Sequence, residues 1–289
     1  MGRGILIAFG VTATVAGAVV LIAKPDATKN VVQLGRHAGL LDEPPPPPES
    51  FDLVVDVSEG SSGGVRENVE QTIGVILERM SATPGSVLRV IAQGARVANA
   101  AVVSMVQSTT PTRNNQKARA AHAKRFIATS HELLMKAMEP VFAASPLVWQ
   151  SPIAETIQWA ALLSLPPGLP PGTARHIIVI SDTHEATKEF GDFACGPLPS
   201  PPEFIKRLHG RDVLMPKSLE GIRIHFTFTE PHASPRRTCP PMTIARINAI
   251  RMLWTAAMKR ANAAETTFET GVVTFRTHAE QGDDHVSIP

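Results

Sequence analysis

The chain has 289 residues, with 28 Lys+Arg against 26 Asp+Glu and a formal net charge of +2, a balance too even for a charge-driven nucleic-acid binder. With 43% apolar and 19% charged residues, its bulk has the composition of a packed globular protein, which rules out disorder for that bulk. Two cysteines, without a C-x-x-C pair or an H-E-x-x-H, exclude zinc enzymes of those types.

Residues Gly4 to Ala23 form an uncharged apolar run, matching the roughly 20 residues a helix needs to cross a hydrocarbon core. Residues 1–23 therefore read as a transmembrane anchor or a signal. A small-residue site at Ala16-Gly17-Ala18 suits a cleavable signal, but Val19 to Ala23 continue the apolar run past it, which favours an uncleaved single-pass anchor. Residues 24–50 are a linker in which Pro44 to Pro48 favour an extended polyproline II rod. The charges flanking the anchor, Arg3 against Lys24, Lys29 and Arg36, leave its orientation open. A short N-terminal tail, a signal-like start and the spacer point to an extracytoplasmic body, periplasmic or extracellular.

From Phe51 strands alternate with helices, the pattern of an α/β domain over 51–275 with a doubly wound, mostly parallel central sheet and helices on both faces. The first strand is Phe51 to Val57. A Gly/Ser-rich loop follows it, then a helix with Val65, Val69, Ile73, Ile76, Leu77 and Met80 at helical spacing. Val87 to Ala92 and Ala100 to Val106 read as strands joined closely enough for one of them to run antiparallel. Helices are predicted over Gln116 to Phe142 and Pro152 to Ser164, the second with Ser151 as N-cap and Pro152 at N1. Arg175 to Ser181 is the clearest central strand. A Pro-rich stretch holding a short helix near Pro202 to Leu208 leads to a strand at Ile222 to Thr229. Thr243 begins a helix that places Trp254 in the core, and Thr267 to Phe275 reads as an edge strand before a polar tail, 276–289.

Ligands of an open α/β sheet sit at the carboxyl ends of its strands. Asp56 and Asp182 each follow an apolar strand directly, so both carboxylates are expected in one crevice, joined by Ser58 and Ser151. Two carboxylates placed together repel unless something positive lies between them, and a hard divalent cation held by carboxylate and hydroxyl oxygens resolves that conflict, with Mg2+ the default. As plain structural elements, the two aspartates would cap turns or helices and the serines would form loops.

At these residues the sequence resembles the von Willebrand factor A (vWA) family, whose metal-ion-dependent adhesion site uses a D-x-S-x-S loop after the first strand, a later Thr and an Asp after the fourth strand. Asp56 and Ser58 match the first two motif positions, Ser151 stands where the family usually has Thr, and Asp182 matches the late Asp. Gly60 occupies the third motif position, and a bulge in the loop would bring Ser61 in. The resemblance implies a protein-binding module, not an enzyme, in which a cation held by Asp56, Ser58, Ser61, Ser151 and Asp182 keeps a position for an acidic residue of a partner.

Two alternatives use the same chain. One is an anion-binding or phosphohydrolase-like enzyme with Gly60 to Gly64 as phosphate cradle, although no Lys follows it and no G-x-x-x-x-G-K-[ST] or G-x-G-x-x-G occurs. The other is a metal-free scaffold of a membrane assembly. His176 and His225 lie within strands and read as surface or core residues, while His184 falls near the crevice. Cys195 and Cys239 are expected to pair if the body faces an oxidising compartment.

Overall fold

The apolar runs decide which strands lie in the middle. The computed structural model describes residues 46–57, 64–93, 100–111, 115–144, 150–163, 165–166, 168–229 and 242–275. Within it β1 (Glu49–Asp56) is buried along its whole length, and β4 (Ala174–Ser181) beside it is buried from Ile177 onward and at His176. The two pair in parallel, with Phe51 opposite His176 and Val55 opposite Ile180. β2 (Val87–Gln93) pairs with β1 in parallel, and β3 (Ala101–Gln107) closes that edge antiparallel, as the short connection predicts. β5 (Ala186–Thr187) and β6 (Gly191–Asp192) form a small separate ribbon, whereas β7 (Ile222–Phe228) and β8 (Glu265–Thr270) extend the main sheet in parallel. The main sheet runs β3-β2-β1-β4-β7-β8. The order reverses direction between β1 and β4, so a crevice opens at their carboxyl ends.

Strand alternation divides the interior into two layers. Leu53, Val55, Ile178 and Ile180 pack with α1 (Val65–Ala82) and α2 (Gln116–Ala144), while Val54, Ile177, Val179 and Phe226 pack with α3 (Ile153–Leu162), α4 (Pro201–His209) and α5 (Ile244–Arg260). All six apolar positions predicted for the first helix are buried. Thr243 caps α5 by accepting a hydrogen bond from Arg246 N, and Trp254 is fully buried, edge-on to Phe204 at 5.6 Å.

The last strand is shorter than the sequence predicts. β8 ends at Thr270 because Gly271, at φ 90°, turns the chain, and Phe275 then packs edge-on against Phe51, His176 and His225. The two histidines are core residues, stacked with centroids 5.3 Å apart and Nδ1 of His176 3.1 Å from Nε2 of His225. Cys195 is disulfide-bonded, and Cys239 lies outside the described residues. So do the predicted anchor at 4–23, most of the linker and the polar tail; among the described residues no helix is long and apolar enough to cross a membrane.

One buried charge ties the layers together. Asp52, in the middle of β1, is fully buried and receives Arg89 through Nε at 2.5 Å and Nη2 at 2.8 Å. Arg175 reaches the same carboxylate at 3.4 Å while donating to the carbonyls of Ala160 and Ala161 near the end of α3. Removing one partner of such a group strands the others without compensation. Asp52→Ala is expected to lower the free energy of unfolding by about 3–5 kcal/mol in urea titration, and a loss under about 1 kcal/mol would show that the pair contributes no more than a surface bridge.

Candidate functional site

Asp56 ends β1 and is fully buried. A carboxylate survives there because hydroxyls solvate it: Ser151 Oγ and Ser181 Oγ each donate to Oδ2 at 2.7 Å. Gln93 Nε2, from the end of β2, donates to Ser151 Oγ at 3.0 Å. Hydrogen bonds to an ionised acceptor are roughly twice as strong as neutral ones, so this group fixes the ends of β1, β2 and β4 at the point where the sheet order reverses.

Ser151 does not take the N-cap role expected of it. Pro152, at φ −82° and ψ 65°, occupies the cap position of α3 without a side-chain cap bond, leaving Ser151 one residue outside the turn. Its backbone exchanges hydrogen bonds with Ala186 of β5, which holds the hydroxyl over Asp56. The cap comes instead from a distant residue: Ala154 N donates to Glu185 Oε2 at 3.0 Å.

Asp182 lies one residue past β4, at the same end of the sheet as Asp56. Both its oxygens are engaged by His184, Oδ1 accepting from the His184 backbone N at 2.9 Å and Oδ2 standing 3.0 Å from its Nδ1. The bond that reaches Asp56 from β4 is made by Ser181. Of the predicted set, then, Asp56 and Ser151 touch, Asp182 shares their end of the sheet while bonded to His184, and Ser58 and Ser61 lie outside the described residues. Among the described residues no group of three or more His, Cys, Asp or Glu side chains is placed to hold a metal ion. The donors gathered at Asp56 are a carboxylate and hydroxyls, an oxygen set suited to a hard cation over zinc or copper.

Sequence reasoning missed Ser181, Gln93 and Glu185. For Ser181 a signal existed, since aligning the apolar runs of β1 and β4 sets it beside Asp56. Glu185 carried none. It is fully buried, and burial pushes its carboxyl up to about 8; Glu155 and Asp56 add to the rise while the Ala154 N–H opposes it. Because the folded value lies above the ordinary 4.5, this group's stabilisation is fully present below about pH 4.5 and is lost as pH rises through about 8. Glu185→Gln keeps an acceptor for Ala154 N but cannot ionise. At pH 8.5 it should be more stable than the wild type by a few kcal/mol, since each tenfold change in proton affinity is worth about 1.4 kcal/mol. The gap should close toward pH 5, and parallel stability profiles for the two proteins would contradict this.

No protein-family model matches the chain, and no curated protein matches it. Among solved structures the chain is similar to a von Willebrand factor type A protein from Catenulispora acidiphila, at 11% identity over 79% of this chain and 39% of that one, with a TM-score of 0.35. It is also similar to the pilus adhesin SpaC from Lactobacillus rhamnosus GG, at 10% identity over 78% of this chain and 28% of that one, TM-score 0.44. A third is proximal thread matrix protein 1 from the mussel byssus, at 12% identity over 78% and 42%, TM-score 0.37. The chain spans less than half the length of each. Its doubly wound α/β fold is established by its own strand order and register.

Proposed function

We propose that this chain is a vWA-like protein-binding module, anchored through residues 4–23 with its body on the extracytoplasmic side, whose crevice at Asp56 takes a divalent cation, Mg2+ by default. The observation that carries the reading is the meeting of the Asp56 carboxylate with the Ser151 hydroxyl at 2.7 Å, at the switch point of the sheet. A hydroxyl that donates to a carboxylate can turn its hydrogen away and offer a lone pair to a cation. Asp56 and Ser151 would hold the ion, with waters filling part of its shell as Mg2+ prefers. The resemblance adds Asp182, Ser58 and Ser61. When bound, the cation supplies a charged position for an acidic side chain of a protein partner.

Binding is favoured over catalysis by the direction of the hydroxyls. Ser151 and Ser181 donate to the buried Asp56 and not to a histidine, so neither forms the Ser–His pair that activates a serine nucleophile. His184, the imidazole of the neighbouring loop, is bonded to Asp182.

Thermal melting with and without Mg2+ tests the reading, because a ligand that binds only the folded state stabilises it by about 2.7 kcal/mol at 100 times its Kd. The wild type should melt higher with Mg2+, Asp56→Asn should lose the response, and Asp182→Ala should lose it as well if the resemblance holds at that position. A wild type indifferent to Mg2+ would leave a metal-free scaffold, and an Asp182→Ala variant with the full response would remove Asp182 from the ligand set.

A further inference from the structure

A separate pocket of about 450 Å3 opens between the carboxyl ends of β4, β7 and β8, the first turn of α1 and one side of α5. Phe228, Met242, Ile247 and Ile250 make its apolar wall. Its size falls within the range of small-molecule sites, which combine such walls with a few convergent polar groups.

Three of the polar groups lack what their chemistry requires. Arg251 lies with its guanidinium 4.5 Å over the Phe228 ring, and among the described residues no carboxylate pairs with it and its Nε has no hydrogen-bond partner. Thr229 is 2% exposed and its Oγ1 is also without a partner. Gly64, the N-cap of the 18-residue helix α1, lines the pocket without a side-chain cap bond, so among the described residues the positive end of the helix dipole has no side-chain partner there. The lining also carries two carboxylates: Asp182, whose oxygens are both bonded to His184, and Glu67, whose Oε1 accepts from Gln71.

Among the described residues, a partly buried guanidinium without a carboxylate partner, an unsatisfied hydroxyl and a helix N-terminus without a side-chain cap together favour an anion. The planar fork of Arg matches a carboxylate in particular, and the apolar wall calls for hydrocarbon attached to it. We propose that this pocket binds an amphipathic small-molecule monocarboxylate, its carboxylate on Arg251 and Thr229 and its body against Phe228, Ile247 and Ile250. The site adjoins the cation crevice, because Asp182 lines this pocket and the resemblance places it among the cation's ligands, but neither Asp56 nor Ser151 lines it.

Calorimetric titration of the whole protein with octanoate tests the proposal, with octanamide and inorganic phosphate as comparisons. Octanoate should bind with one-to-one stoichiometry and at least tenfold more tightly than octanamide or phosphate. Arg251→Gln should weaken it by tenfold or more, about 1.4 kcal/mol, and Thr229→Val should weaken it severalfold. Circular dichroism of each variant checks the fold, and should Arg251→Gln not fold, Thr229→Val and the octanamide comparison still decide. Absence of octanoate binding, equal binding of octanamide, phosphate binding as tight as octanoate, or octanoate binding unchanged in a folded Arg251→Gln or Thr229→Val would each overturn it. Asp56→Asn should keep octanoate binding whatever its response to Mg2+, which separates this site from the cation reading.

Discussion

A carboxylate sealed in a protein interior must be surrounded by donors, and the way Asp56 meets that demand sets the shape of the crevice. Among its partners are the hydroxyls of Ser151 and Ser181, with Gln93 supporting the first. The hydrogens of these hydroxyls can be redirected. The cost of burying Asp56 is offset in part by bonds that hold three strand ends and the entry to α3 in register at the switch point.

The contrast with Asp52 makes the distinction concrete. It lies four residues earlier on the same strand, equally buried, and takes the opposite solution: Arg89 engages both its oxygens and Arg175 approaches one of them. That charge is matched within the chain. Two aspartates on one strand thus divide into a closed ion pair within the sheet and a hydroxyl-solvated carboxylate at its end, and only the second sits where open α/β sheets keep their ligands.

Much of the architecture was legible because β1 and β4 are short apolar runs, and α1 shows its buried face at three- and four-residue spacing. Both signals are local. The signals are weakest at the edge: Val272, Val273 and Phe275 look like strand, but Gly271 turns the chain, and Val273 and Phe275 pack into the core. At the site the sequence pointed to Asp56 and Ser151 while giving Ser151 a local cap role. The structure frees it from that role through Glu185, a long-range partner whose placement no spacing rule reveals. Ser181 gives no local signal of its own, because it is the last residue of an apolar strand and precedes a charged one. In a parallel pair the neighbour across the ladder is set by register, which a single chain read strand by strand does not display.

The segment from Ser181 to Glu185 shows how closely the two crevices are joined. Ser181 Oγ donates to Asp56 and accepts from Thr183 N; Asp182 holds His184 on the pocket side; Glu185 caps α3. Thr183 makes this division possible by adopting φ 60°, a left-handed conformation that is strained for a β-branched residue. The strain is held by bonds on both sides, since Thr183 N reaches Ser181 and its carbonyl accepts from the buried Trp254 Nε1 at 3.1 Å. Trp254 belongs to α5, the same helix that supplies Arg251 to the pocket, so the conformation that presents Ser181 to Asp56 is braced by the element lining the neighbouring pocket. Any change that shifts α5 against the sheet must therefore either break the Trp254 bond or carry Thr183 with it, and Ser181 is the next group along that chain of contacts.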